Sequence, residues 1–285
     1  MVRNPIVAGQ FYESDYDRLY RQINKCFNDK FGPGEFSSKR KEKKIKGIIS
    51  PHAGYIFSGS CAAWGYKEIA EACFPDVFVI IGVSHEGYES CLSREDWITP
   101  LGNVKVDKQM VDLISKKTGL SVNERANEIE HSIEVQLPFL QFSCKDHIDD
   151  IRIVPIMISE DADIKETGNN IKQAVKESRK YVVFIVSSDF THYGYNYGFT
   201  PFHDKVKERL YNLDQGAIDF ILKKNSQGFI DYTKNTGATI CGKYPIAALI
   251  ESIDFKKSKL LMYYTSGDIS GSYDNAVGYA SILFE

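Results

Sequence analysis

The chain has 285 residues, with Lys plus Arg at 35 against Asp plus Glu at 38 and a formal net charge of -3. Hydrophobic residues at 43% and charged residues at 26% match the ordinary globular mix, which excludes a disordered, collagen-like or coiled-coil chain. The mild acidity argues against a nucleic-acid binder with its basic face, and no apolar run reaches the ~20 residues of a membrane span.

Met1-Val2-Arg3-Asn4-Pro5 lacks the apolar core of a signal peptide, so a cytoplasmic protein is the expectation. From Asn24 to Lys44 the chain is mostly polar and broken by Gly32-Pro33-Gly34. Its basic end, Ser37 to Lys44, reads as a solvated loop leading into a strand rather than an electrostatic patch. Short apolar runs then read as buried strands: Ile45–Ser50, Val77–Ile81, Ile151–Ile156, Val182–Val186, Leu260–Tyr264 and Ala276–Phe284. Most are nearly continuous in Val and Ile, as in a sheet covered on both faces.

Helical spacing separates them. It is carried by Ala62, Ala63, Tyr66, Ile69 and Ala70, then Ile164, Gly168, Ile171 and Val175, then Val206, Leu210 and Leu213, then Ile246, Leu249, Ile250 and Ile253. Alternating strands and helices predict a layered α/β fold with a largely parallel central sheet flanked by helices. No repeat or long linker divides residues 1–285, so one domain is expected; the direction of the closing strands stays open.

Polar groups follow three of the strands at once. Ser50 leads into Pro51-His52-Ala53-Gly54-Tyr55, Ile81 into Gly82-Val83-Ser84-His85, and Val186 into Ser187-Ser188-Asp189-Phe190-Thr191-His192. The carboxyl edge of an open α/β sheet is where ligands bind. If the strands are parallel neighbours, these groups meet in one cleft.

The six cysteines are scattered and form no C-x-x-C pair, as expected of reduced, mostly buried thiols. Cys241 stands apart, just before the helix carrying Pro245 and Ile246. A helix N-terminus and Lys243 there favour thiolate; a small buried thiol at a cap is the equal alternative. Glu130 to Pro138 reads as helical, with Glu130 and Glu134 on one face and His131 a turn from Glu134. These groups either support a site or form a solvated helix face. Thr191 to Phe199 is an aromatic-rich surface loop or a pocket wall, His147 and His203 are expected at the surface, and Asp268 in a turn. Motifs for P-loop, dinucleotide, zincin and α/β-hydrolase sites are absent.

Taken in order, Ala8-Gly9-Gln10-Phe11-Tyr12, Ser50 to Tyr55, Ser84-His85, Glu130 to Glu134, Ser187 to His192 and Cys241-Gly242 resemble the Memo family, named for a mediator of receptor-driven cell motility. The resemblance spans nearly the whole chain. It implies a fold like the class III extradiol dioxygenases, which hold non-haem iron with two His and a carboxylate. It implies a metal site at His52, His85 and Cys241, with Asp189 and His192 nearby. Cys241 stands in the carboxylate's place, a departure from the ring-cleaving ligand set. Thiolate shifts the preference toward copper(I) or zinc, with iron still an option. Animal relatives are linked to phosphotyrosine-peptide binding and copper-dependent redox chemistry.

The expectation is therefore a metal-dependent oxidoreductase using iron or copper. His192 is its acid/base, Asp189 orients His192 or a ligand histidine, and Glu130 and His131 stand behind the ligands. Tyr55 and Phe11 line the pocket. The competing expectation is a module that keeps the cleft to bind a peptide or small molecule without chemistry. A metal-assisted hydrolase ranks last.

Overall fold

The computed structural model describes residues 2–37 and 39–285. Met1, and Ser38 within the basic stretch, lie outside the described residues. In chain order the elements are β1 (Val2–Arg3), α1 (Tyr16–Asn28), β2 (Gly47–Ser50), α2 (Tyr55–Glu71), β3 (Val77–Gly82), β4 (Cys91–Leu92), β5 (Asp96–Thr99) and β6 (Gly102–Val106). They continue with α3 (Lys108–Thr118), β7 (Ser121–Val122), α4 (Glu124–Ile129), α5 (Gln136–Ser143), β8 (Arg152–Met157), α6 (Ile164–Ser178), β9 (Val182–Ser187) and β10 (His192–Gly194). The last are α7 (Val206–Leu222), α8 (Ser226–Thr236), α9 (Lys243–Ser252), β11 (Ser258–Thr265), α10 (Ser266–Ser270) and β12 (Asn275–Phe284).

Among the described residues the strands form one twelve-stranded sheet, with the path β1-β5-β6-β8-β3-β9-β2-β12-β10. Its centre, β8-β3-β9-β2, is parallel. β3 and β9 are buried along their whole length, which is why they read as unbroken apolar runs. β12 closes the sheet antiparallel to β2, and β11 and β10 pair antiparallel with β12. Helices α1, α2 and α5 pack together as one group, and α3, α6, α8 and α9 as another.

The six strands and four helices predicted above are present. Two expectations need correction. The polar stretch from Asn24 hides the last turn of α1, whose buried stripe is Leu19, Ile23, Cys26 and Phe27. Polar residues on its outer face mask that stripe. Glu130 to Pro138 is not one helix. α4 ends at Ile129, Glu130 is extended (φ -93, ψ 134), and α5 begins only at Gln136. Glu130 turns its carboxylate back onto the backbone N–H groups of His131 (2.9 Å) and Ser132 (2.7 Å), which breaks the helix there. Pro138 falls in the first turn of α5, where its missing N–H costs nothing.

Elsewhere the details differ less. His203 is exposed, but His147 stacks on Phe74 at 4.5 Å. Asp268 caps α10 through Thr265 in a reciprocal pair of hydrogen bonds.

The register makes the functional edge. Ser50 of β2 pairs with Ser187 of β9, and Ile81 of β3 with Val186. The three strands are therefore parallel neighbours ending level with one another. The segments carrying His52, His85 and Asp189–His192 leave the sheet side by side.

Candidate metal centre

His52, His85 and Cys241 each offer one ligand atom, and these atoms all lie within 4.8 Å of one another. Cys241 arrives from the turn before α9. Gly242 makes that approach fit: a Cβ there meets the Cβ of Ser188 at 2.3 Å, and its N–H donates to Ser188 Oγ at 3.0 Å. The start of α9 thus sits on the end of β9, and Cys241 Sγ comes 3.3 Å from His52 Nε2.

Hydrogen bonding fixes both imidazole tautomers. Ser187 Oγ spends its single hydrogen on the carbonyl of Ser132 (2.7 Å), so toward His52 Nδ1 (2.9 Å) it only accepts. Gln136 Nε2 adds a second donor to Ser187 Oγ at 2.8 Å and is itself oriented by the Pro51 carbonyl at 3.0 Å. His52 therefore carries its proton on Nδ1. His85 does the same, because its Nδ1 faces the Glu130 carboxylate at 2.9 Å. Both Nε2 lone pairs are left for a ligand. Tying the far nitrogen in this way is how proteins orient metal-binding histidines.

A second group, His85, Glu130 and His131, also clusters within 4.8 Å. Glu130 excludes itself as a ligand. Its oxygens already accept from the backbone N–H groups of His85 (2.8 Å), His131 (2.9 Å) and Ser132 (2.7 Å) and from the His85 ring. It orients His85 instead. His131 stacks on the His85 ring at 4.6 Å and meets the edge of His52 at 5.7 Å, so it belongs to the same cluster.

The protonation pattern follows from burial and charge. Burial, then the charges of His85 and His131, push the His52 imidazole well down, so it stays neutral. Burial also works against a charged His85, but the Glu130 hydrogen bond and charge outweigh it and leave His85 raised. Burial opposes ionisation of Glu130 too, yet its bonds to His85 and to backbone N–H groups bring its carboxyl down to about 2. Burial lowers His131. Burial and the nearby Asp189 charge push the Cys241 thiol far up. This corrects the expectation that Lys243 favours thiolate: its ammonium lies over the Tyr244 ring at 4.9 Å. The N–H of Asp189, 3.2 Å from the sulfur, with weaker contributions from the Ser188 hydroxyl at 3.9 Å and the Gly242 backbone, favours thiolate without outweighing burial.

The remaining predicted residues scatter more. Asp189 is buried and accepts from the backbone N–H of His52 at 2.9 Å, with its other oxygen 3.9 Å from His52 Nε2. It does not orient His192; the Thr239 carbonyl does, at 3.1 Å from Nδ1. That leaves His192 Nε2 free, with the ring edge-on to Tyr197 at 5.1 Å. Phe11 stands edge-on to His131 at 4.9 Å, beside the cluster. Tyr55 does not line it. Its ring is buried between Tyr12 and Phe139 and its hydroxyl donates to the Val135 carbonyl at 2.7 Å. Its N–H instead holds the Phe11 carbonyl at 2.8 Å. A cavity of about 400 Å³ opens beside Cys241 between Ser84, Tyr88, Lys243 and Tyr244.

Ser187, Gln136 and Thr239 were not singled out by sequence reasoning. Ser187 had a signal, a serine ending a strand beside two others that deliver histidines. Gln136 and Thr239 had none.

A family profile described as Memo-like protein matches residues 3–283. A MEMO1 family protein of Thermococcus onnurineus is 38% identical over 296 residues, covering 100% of this chain and 99% of its own. One from Methanosarcina mazei is 37% identical over 291 residues with the same coverage. Among solved structures, an uncharacterized protein of Escherichia coli K12 superposes with a TM-score of 0.57 at 10% identity, covering 85% of this chain and 100% of that one. That likeness concerns the fold alone.

Proposed function

The chain belongs to the Memo-like family, and on that premise we propose that His52, His85 and Cys241 hold one iron or copper ion in a metal-dependent oxidoreductase. The observation that supports it is the donor set itself. Two imidazoles have their Nδ1 protons tied away, one to Ser187 and one to Glu130; His52 Nε2 lies 3.3 Å from Cys241 Sγ, and one ligand atom of each of the three residues lies within 4.8 Å of the others. Two imidazoles and a thiolate suit copper, zinc or iron. Burial opposes an unpaired thiolate at Cys241, and a bound cation is what stabilises it there.

When bound, such an ion supplies redox chemistry or polarises a substrate oxygen. The chain's own residues do the rest. His192, with Nδ1 anchored on the Thr239 carbonyl, offers its free Nε2 as the acid or base. Asp189 stiffens the segment that carries His52. Phe11 and His131 form one side of the cleft, and substrate enters through the cavity beside Cys241. A cytoplasmic location is part of the same reading and is supported by six free cysteines.

A second reading, a module that binds a peptide or small molecule without chemistry, has one observation in its favour. The cavity beside Cys241 has tyrosines and a lysine in its walls, a binding surface that needs no metal. Metal content separates the two. Protein purified without added metal or a chelating tag is expected to carry iron or copper near one per chain and to consume oxygen in a metal-dependent way. Metal-free protein that also refuses added iron and copper overturns the oxidoreductase reading.

A further inference from the structure

Arg3 and Glu134 form an ion pair whose side chains are 1% and 0% exposed. They are 131 residues apart in the chain, and neither belongs to the metal-ligand set. Glu134 is more than a counter-ion. It also accepts from the backbone N–H of Ile6 (3.0 Å) and Val7 (3.1 Å) and from the Tyr12 hydroxyl (2.6 Å). One buried carboxylate thus gathers four points of the first twelve residues.

Two routes lead from this pair to the cleft. Arg3 Nη2 donates to the Glu130 carbonyl at 2.7 Å and its Nε to the Asn127 carbonyl at 3.0 Å, which fixes the extended residue whose carboxylate orients His85. Along the other route, the Val7 carbonyl accepts from the N–H groups of Gln10 and Phe11, and the Phe11 ring braces His131, which stacks on His85. Both routes end at the same imidazole.

We propose that Arg3 and Glu134 are positioning residues of the metal centre: their buried pair clamps the N-terminal segment against Glu130 and His131, and so holds His85 in its ligand orientation. The idea rests on His85 being a ligand, but its first readout does not need the metal. A buried pair that only stabilises the fold leaves the His85 ring undisturbed when both charges are removed together. A pair that positions it does not.

The test uses the full chain and two variants. Arg3→Met with Glu134→Gln removes both charges at once and leaves no lone buried ion. Tyr12→Phe deletes one hydrogen bond and no charge. Histidine NMR on metal-free protein follows the His85 Nδ1 proton, assigned by its loss in His85→Gln. The expected result is a folded double variant in which this proton exchanges roughly tenfold faster or more, and cobalt(II) binds about tenfold more weakly while its sulfur band persists. Tyr12→Phe is expected to move both in the same direction by less. A lower melting temperature with unchanged proton exchange overturns the proposal. Should the double variant fail to fold, unchanged exchange in Tyr12→Phe overturns it alone. A wild-type protein that binds no cobalt defeats the ligand reading, while the exchange measurement still decides the role of the pair.

Discussion

The two histidines of the cleft are held in opposite ways. His52 is 3% exposed and its Nδ1 rests on a neutral hydroxyl, with an amide and two carbonyls behind it. The His85 side chain is 33% exposed and rests on a carboxylate. Burial first, and then the neighbouring charges of His85 and His131, keep the first imidazole neutral. The second sits where water reaches it, and there the carboxylate sets orientation at the expense of raising the proton affinity. On the proposed reading, the candidate ligand deep in the sheet edge is held by a tautomer lock alone, and the one on the exposed loop by a charged anchor.

The most damaging break in this arrangement is at the atom both histidines face. Cys241→Ser is expected to weaken cobalt(II) or copper binding more than ~100-fold, beyond the 10–100-fold typical of losing an orienting partner. Competition against a chelator of known affinity checks it.

A second carboxyl sharpens the contrast. Asp214 is buried with only the hydroxyls of Thr191 and Tyr263 and one backbone N–H as partners, and burial pushes it up to about 6 despite them. Glu130, facing an imidazole, goes the other way. The folded state therefore holds the Asp214 proton more tightly than the unfolded chain, whose value is near 3.8. Its stabilising contribution is complete below that pH and is lost as pH rises through about 6. The loss amounts to about 3 kcal/mol by linkage. Urea unfolding from pH 4 to 7 is expected to show this slope in the wild type relative to Asp214→Asn. Parallel curves contradict it.

Next come the two anchors themselves. Glu130→Gln is expected to weaken metal binding ~10–100-fold, and Ser187→Ala by less than ~10-fold, because the His52 ring stays packed. Equal losses, measured by cobalt titration, break the comparison. The smallest effect is a proton count. Metal binding at neutral pH is expected to release about one proton from Cys241 and a further fraction from His85, because thiolate and neutral imidazole are the ligand forms and Glu130 raises the His85 proton affinity. Calorimetry in buffers of different ionisation enthalpy reads it.

Much of this was legible in the residues. The Val- and Ile-rich runs gave the central strands because burial on both faces erases alternation. His52, His85 and Asp189 were visible as polar groups following those runs, and adjacency of the strands brings them together. The misreadings share a cause, which is that tertiary partners overrode local pattern. Glu130 to Pro138 has helical spacing, but Glu130 satisfies three backbone N–H groups by leaving the helix. Tyr55 follows His52 closely in sequence, but α2 begins at it and turns its ring into the core. Arg3 and Glu134 meet across 131 residues, a pairing no spacing rule could show.

The most direct test of the central claim is a cobalt(II) titration followed at the sulfur-to-metal charge-transfer band. The account predicts saturation at one ion per chain with a thiolate band that Cys241→Ser abolishes. Failure to bind, or a band unchanged in Cys241→Ser, contradicts it.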